Sequence, residues 1–284
     1  MTKKAVLIND LSGLGKCSLT AAIPVLSVMG IQPCPMPTAV LTNQTGFPSF
    51  YCNDCTDSLD FYTSEWKKLG FSFDGIYTGF LSSEKQVDKI LDFISNFRNK
   101  DTLVLVDPVM GDGGKTYSLF TPTLAEKMKA LTSAADVITP NLTEVCILCD
   151  CDYNELISHS DEPDFSVRVT ELGQKLIDIY DVKTVIITGI TKRNPSDGTS
   201  LICNQVIQGN LCFETKSPLI GHSYSGTGDL FASVMFAGLL RGDDLKSTVL
   251  RAVSFIEKSL LDTVKLSIPR NEGIEFEKNL SLLL

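Results

Sequence analysis

The stretch TLVLVDPVMGDGGKTY, residues 102–117, sets the reading of the fold. A short apolar run rich in β-forming residues ends on a carboxylate, Asp107, and breaks at once into a glycine-rich turn that carries a second carboxylate, Asp112. A continuous apolar run bounded by turn residues has the character of a buried parallel strand. The same pattern recurs in KAVLIND (4–10), PTAVLT (37–42), FDGIYTGF (73–80), ADVITPN (135–141) and KTVIITGI (183–190). Amphipathic segments lie between these runs, such as 83–97, where Val87, Ile90, Leu91 and Ile94 fall on one face at helical spacing. Alternating strands and helices imply right-handed βαβ units. The expected fold class is therefore α/β, a doubly wound and mostly parallel sheet with helices on both faces.

Past Thr191 the pattern changes. Residues 199–216 hold two alternating runs joined through Gln208, Gly209 and Asn210, which predicts an antiparallel hairpin at one sheet edge. Helices are expected over 227–240 and from 243 to about 264. No internal repeat, low-complexity stretch or linker interrupts the chain, so one domain over 1–284 is expected.

With 284 residues, 43% of them hydrophobic, the chain can bury a sizeable core. Its 25 basic and 34 acidic residues give a net charge of −9, which argues against nucleic acid or an anionic membrane surface as a partner. Any phosphate it holds must be held locally. The N-terminus runs straight into an apolar stretch with no small-residue cleavage site behind it, so neither a signal peptide nor a transmembrane segment is expected. Nine scattered cysteines, an odd number, suit free thiols in a reducing cytosol, and a cytoplasmic protein is expected. The pairs Cys52/Cys55 and Cys146/Cys149 have a zinc-like internal spacing. They stand about 90 residues apart with no histidine close by, which favours packing thiols over a zinc site.

Ligands of open α/β sheets bind beyond the carboxyl ends of the strands, and the residues there are rich in polar chemistry. Asp10 and Ser12 follow the first run, Asn43 and Thr45 the second, Asp107 and Asp112 the fourth, Asn141 and Glu144 the fifth, and Thr188 the sixth. NDLSGLGKCS (9–18) fits neither the Walker A spacing, which needs glycine where Asp10 stands, nor the dinucleotide fingerprint, which needs glycine where Ser18 stands. It reads either as a turn into a helix bent at Pro24, or as a loop from which Asp10 and Ser12 bond a small substrate. Asp107 and Asp112 belong either to an ordinary loop or to a site holding Mg²⁺ through water. In TPNLTE (139–144), Asn141 is a favoured N-cap and Glu144 stands where a capping box closes. Capping alone explains both residues; the alternative is that they orient a hydrated metal.

SGTGD (225–229) precedes an apolar helix. Gly226 and Gly228 permit close backbone approach, and the first N–H groups of the helix point outward with the positive end of its dipole, which makes an anion pocket. Asp229 is either a first-turn acid favoured by that dipole or a proton acceptor at the rim of a phosphoryl site.

Together, LINDLSGLGKCSLTAAIPVLSVMG, TAVLTNQTGF, DPVMGDGGKTY, TPNLTE and SGTGDLFAS, spread in order over nearly the whole chain, resemble the pyridoxal kinase branch of the ribokinase-like superfamily. The resemblance implies phosphorylation of the 5′-hydroxymethyl group of a B6 vitamer (pyridoxal, pyridoxamine or pyridoxine), with ATP as co-substrate and Mg²⁺ as cofactor. It leaves a K⁺ requirement open and implies a homodimer. By the same resemblance Asp229 is the catalytic base, and Gly226, Thr227 and Gly228 form the anion hole. Asp107 and Glu144 serve the metal, and Asp112, Tyr117, Asn141, Glu144 and Thr188 the ATP phosphates. Ser12 and Thr45 fall on vitamin-contacting positions. Phe80 stands where many relatives carry tyrosine, so a shifted vitamer preference is expected. Hydroxymethylpyrimidine kinases, the nearest alternative, typically end the anion-hole motif in cysteine where this chain has Asp229. A non-catalytic vitamin sensor on the same fold is the alternative from outside the enzymes.

Overall fold

The computed structural model describes residues 1–117, 120–194 and 196–284. In chain order the elements are β1 (Lys4–Ser12), α1 (Ser18–Val28), β2 (Gln32–Leu41), β3 (Cys52–Asp54), α2 (Leu59–Lys68), β4 (Gly75–Thr78), α3 (Glu84–Phe97) and β5 (Leu103–Val106). Next come β6 (Gly111–Asp112), β7 (Lys115–Thr116), α4 (Pro122–Thr132), β8 (Val137–Ile138), α5 (Leu142–Cys149), α6 (Tyr153–Ser158) and α7 (Phe165–Tyr180). The chain closes with β9 (Thr184–Arg193), β10 (Ser200–Gln208), β11 (Leu211–Pro218), α8 (Thr227–Arg241) and α9 (Leu245–Lys265). They fall into two compact units, one of Met1–Leu81, Asp88–Val104 and Ile220–Leu284, the other of Ser82–Val87 and Leu105–Leu219.

In the first unit, β1 pairs in parallel with β2 and with β4. Ala5, Val6, Leu7 and Ile8 of β1 have no exposed surface, as befits a strand covered on both faces. β2 starts at Gln32, five residues before the run read from sequence, and takes in Pro33, Pro35 and Pro37. The prolines alternate, and the Gln32 N–H donates to the Lys3 carbonyl, so the residues that keep their N–H face β1 and the prolines face the other way. On that other side β3 pairs only with Ala39 to Leu41, so the prolines remove no ladder bond. α1 packs on β1 and on α8, and α8 packs on α9. From Leu230 to Gly238 every residue of α8 is buried, so this helix runs through the interior and its amino end is held rigidly.

In the second unit, β5 pairs with β8 and β8 with β9, both in parallel. β10 is antiparallel to β9 and to β11, which is the hairpin expected from sequence, with its loop at Gly209 and Asn210. α5 and α7 pack on β9. Sequence reading did not anticipate the β6/β7 hairpin. Its two-residue turn is Gly113 and Gly114 at φ +58° and +78°, values that suit glycine and a type I′ turn. The fold is thus α/β with a mostly parallel sheet, as expected. No described helix is long and apolar enough to cross a membrane. The nine cysteines are free, and among the described residues no group of three or more His, Cys, Asp or Glu is placed to hold a metal.

Candidate active site

Each unit carries its own cluster of the residues singled out above. In the first unit the cluster forms where β1 ends and α8 begins. Gly226 is the N-cap of α8 at φ +84°, and a Cβ there would lie 2.1 Å from the Lys16 carbonyl oxygen, so the turn that opens the helix admits only glycine. A Cβ on Gly228 would meet nothing within 4 Å. Folding therefore does not require glycine at 228, whereas close approach of a ligand to the backbone would. The Thr227 hydroxyl donates to the Tyr224 carbonyl at 3.2 Å, which fixes the first turn.

Asp229, partly exposed, sits in that first turn. Burial of its carboxyl, with a smaller contribution from the charge of Asp10, pushes its pKa up to about 6 against hydrogen bonds from the Ser18 backbone and the Asn9 side chain. A carboxylate titrating there is ionised at neutral pH, yet basic enough to receive a proton.

Asp10 is buried and accepts from the Ser12 hydroxyl at 2.7 Å and the Ser18 hydroxyl at 2.6 Å. Burial raises its pKa, and those hydroxyls counter the rise. Asp10 and Ser12 thus bond each other first, and what Ser12 retains for a ligand is its lone pairs. Lys16 and Ser18 adopt left-handed backbone at φ +50° and +52°, which is uncommon outside glycine and marks this loop as tightly constrained. Phe80 is half-buried, with its N–H donating to Asn9 Oδ1 and its carbonyl accepting from the Thr38 hydroxyl. Thr45 is exposed on a turn. Its neighbour Gln44 ties that turn down, donating to the Ser225 hydroxyl and the Asn271 carbonyl, both at 3.1 Å, and accepting from the Gly46 N–H.

Sequence reading passed over Asn9, Ser18 and Gln44. Asn9 offered one signal, an amide at the end of an otherwise apolar strand. Ser18 and Gln44 offered none, because their roles arise only from long-range packing.

In the second unit, Asp107 is buried at the end of β5 and accepts from the Thr139 hydroxyl at 3.1 Å. Asn141 and Glu144 form a complete capping box at the start of α5. Glu144 also accepts from the Met110 N–H at 3.1 Å, and Asn141 Nδ2 donates to the Gly111 carbonyl at 2.8 Å. The box that starts α5 therefore also anchors the β6/β7 hairpin. Burial, then the charge of Asp107, hold the Glu144 pKa well above the ordinary carboxylate range. Thr188 bridges to Asn141 and donates its N–H to the Pro140 carbonyl at 2.9 Å. Asp112 lies exposed on the hairpin, and Tyr117, also exposed, donates its N–H to the Met110 carbonyl. A cavity of about 260 Å³ opens here, lined among others by Asp112, Asn141, Thr143, Tyr153, Gly189 and Thr191.

Two crowded, buried carboxylates suit a cation. Both Glu144 oxygens already accept backbone N–H groups, however, so Asp107 and Glu144 fit a metal held through water better than one bound directly. Glu144→Gln should raise the Mg²⁺ concentration needed for half-maximal activity about tenfold or more, the scale of losing an outer-shell partner. The change in stability should stay within the roughly 0.5–2 kcal/mol of a cap. An unchanged Mg²⁺ titration beside a clear loss of Tm would leave Glu144 a capping residue only.

An acceptor for a hydroxyl proton and a helix start open to phosphoryl charge are the two needs of an alcohol kinase of ribokinase-like fold, and comparison with known proteins points to the same class. Residues 56–272 match the phosphomethylpyrimidine kinase family, and the chain belongs to it. A Bacteroides thetaiotaomicron protein provisionally called a phosphomethylpyrimidine kinase, crystallised with pyridoxal, is 39% identical with a TM-score of 0.91, covering 100% of this chain and 96% of its own. Pyridoxal kinase from Lactobacillus plantarum is 25% identical with a TM-score of 0.86, covering 100% of this chain and 97% of its own. The pyridoxine/pyridoxal/pyridoxamine kinase of Bordetella avium is 26% identical over 257 residues, 88% of this chain and 81% of the relative. Across four curated relatives the matched segments span from 54% to 82% of the relatives' own lengths.

Proposed function

We propose that the protein transfers the γ-phosphoryl group of ATP to the 5′-hydroxymethyl group of a B6 vitamer, pyridoxal, pyridoxamine or pyridoxine. The observation that carries this reading is the raised, partly screened carboxylate of Asp229 in the first turn of α8. The hydroxyl oxygen bonds to the γ-phosphorus, the bond from that phosphorus to the β–γ bridging oxygen breaks, ADP leaves, and the hydroxyl proton passes to Asp229. The N–H groups at the start of α8, from Gly226 to Gly228, receive the phosphoryl charge. Asp112, Tyr117, Asn141 and Thr188 serve the ATP phosphates; Asp10, Ser12, Thr45 and Phe80 serve the vitamin. Mg²⁺, held through water by Asp107 and Glu144, would neutralise phosphate charge. We also propose that residues 1–284 act as one kinase domain, in a homodimer, in the cytoplasm.

The family match gives weight to a second reading, phosphorylation of hydroxymethylpyrimidine. One panel separates the two: purified protein with Mg-ATP, with and without K⁺, and each vitamer or hydroxymethylpyrimidine, scored for ADP and phosphorylated product. Vitamer-dependent ADP release is expected. Turnover confined to the pyrimidine would overturn the B6 reading, and vitamer binding without any ADP would indicate a sensor. Phe80→Tyr adds a hydroxyl to a ring whose backbone is already fixed at both ends. It should change relative kcat/KM among vitamers roughly two- to tenfold, the worth of one hydrogen bond, with KM for ATP unchanged. Equal effects on all three vitamers would remove Phe80 from the vitamin site.

A further inference from the structure

Asn9 sits at the carboxyl end of β1 with 2% of its surface exposed. Its side chain makes three hydrogen bonds. Two come from backbone donors, the N–H of Asp10 at 3.0 Å and the N–H of Phe80 at 2.9 Å, and both end on Oδ1. Because both partners can only donate, the oxygen must face them and the amide cannot flip. The NH₂ group is thereby aimed at Asp229, whose Oδ1 lies 3.2 Å from Nδ2. A buried amide pinned by two main-chain bonds on one side has a single free direction, and that direction holds the proposed base.

We propose that Asn9 is a positioning residue: it aims the Asp229 carboxylate and, by donating to it, favours the anionic form that takes the hydroxyl proton. The inference rests on the reading of Asp229 as the base, and it joins that base to the backbone of the Phe80 segment through one side chain.

The surroundings of Asp229 leave this task to few groups. From β1, Asp10 faces it as a second acid whose charge opposes ionisation. From the start of α1 come the Ser18 N–H, which favours the anion, and Cys17, whose thiol is pushed up by burial and by the charges of Asp229 and Asp10. Within α8 itself, Ser233 bonds the Asp229 carbonyl and leaves the carboxylate alone. Among the described residues, the two groups that favour the ionised form of Asp229 are neutral donors, the Ser18 N–H and the Asn9 amide. Asn9 is the side chain among them.

The test pairs Asn9→Ala with Asn9→Ser, which is too short to reach Asp229 but keeps an oxygen for one of the two backbone N–H groups. The control is Thr38→Val, which loosens the same Phe80 segment without touching Asp229. Two readouts are taken: the acid limb of kcat/KM for pyridoxal, and the ¹³C titration of the Asp229 carboxyl, assigned by its absence in Asp229→Asn. Removing a donor from the anion must move both to higher pH, by about one unit for one hydrogen bond to a charged group. The control should keep the wild-type limb whatever its Tm. Should Asn9→Ala fail to fold, the serine variant carries the same expectation. An unmoved carboxyl titration in a folded Asn9 variant would overturn the assignment, however far Tm or kcat falls. Were the wild type to phosphorylate no vitamer, the B6 reading would fail, while the ¹³C titration would still decide the role of Asn9.

Discussion

Asp229→Asn should lower kcat by roughly 10²–10⁴-fold, the usual contribution of a positioned proton acceptor. Asparagine keeps the volume and can still accept a hydrogen bond, so base chemistry is separated from packing. ATP affinity should hold or improve, because a negative charge beside the α8 start is removed while the backbone donors remain. Stability should not fall either. The folded-state pKa of about 6 lies above the 3.8 of the free side chain, so the native protein holds this proton more tightly than the unfolded chain. The stability associated with Asp229 is therefore full at low pH and is lost as pH rises from about 4 to about 6, and asparagine escapes that loss. A variant within about threefold of wild-type kcat would show that Asp229 only complements the helix dipole.

The two glycines of the proposed anion hole should part company. Gly226→Ala places a methyl group 2.1 Å from the Lys16 carbonyl oxygen at a φ of +84°, so the loop or the helix start must move. A stability loss of about 1–3 kcal/mol is expected, with kcat falling alongside. Gly228→Ala meets open space on a helix, where alanine is the better helix former, so Tm should stay or rise. If the phosphoryl group approaches the backbone there, kcat/KM for ATP should nonetheless drop roughly 10²–10³-fold, as when one donor to a developing charge is blocked. Thermal melts beside steady-state kinetics distinguish these outcomes. A fully active Gly228→Ala would place the phosphoryl group elsewhere.

The fold was legible because its central strands are continuous apolar runs: Ala5 to Ile8 and Val185 to Ile187 announce burial on both faces by composition alone. β2 begins at Gln32, ahead of its apolar run, and its first half is hidden from sequence by alternate prolines, which are unusual in a strand. They are harmless here, since only the side facing β1 needs N–H donors over that stretch. The β6/β7 hairpin has two residues per strand, too few to show a period. At the site, acids and glycines stood out because their types are rare beside apolar runs. The groups that hold them did not, since the reach of Asn9 to Asp229 and of Gln44 to Ser225 spans 220 and 181 residues of sequence. Glu144 shows a further limit. Sequence posed capping and a role in the site as rivals, and the folded chain has one capping box that also anchors the hairpin beside Asp112.

The most direct test of Asp229 as the base of a B6 vitamer kinase is the pH dependence of kcat/KM at saturating Mg-ATP, measured in parallel with pyridoxal and pyridoxine. A base that must be ionised predicts rates that climb about tenfold per pH unit on the acid side. They should level above the Asp229 value of about 6, with one limb shared by both substrates. A profile flat across that value, or a limb that moves with the substrate, would contradict it.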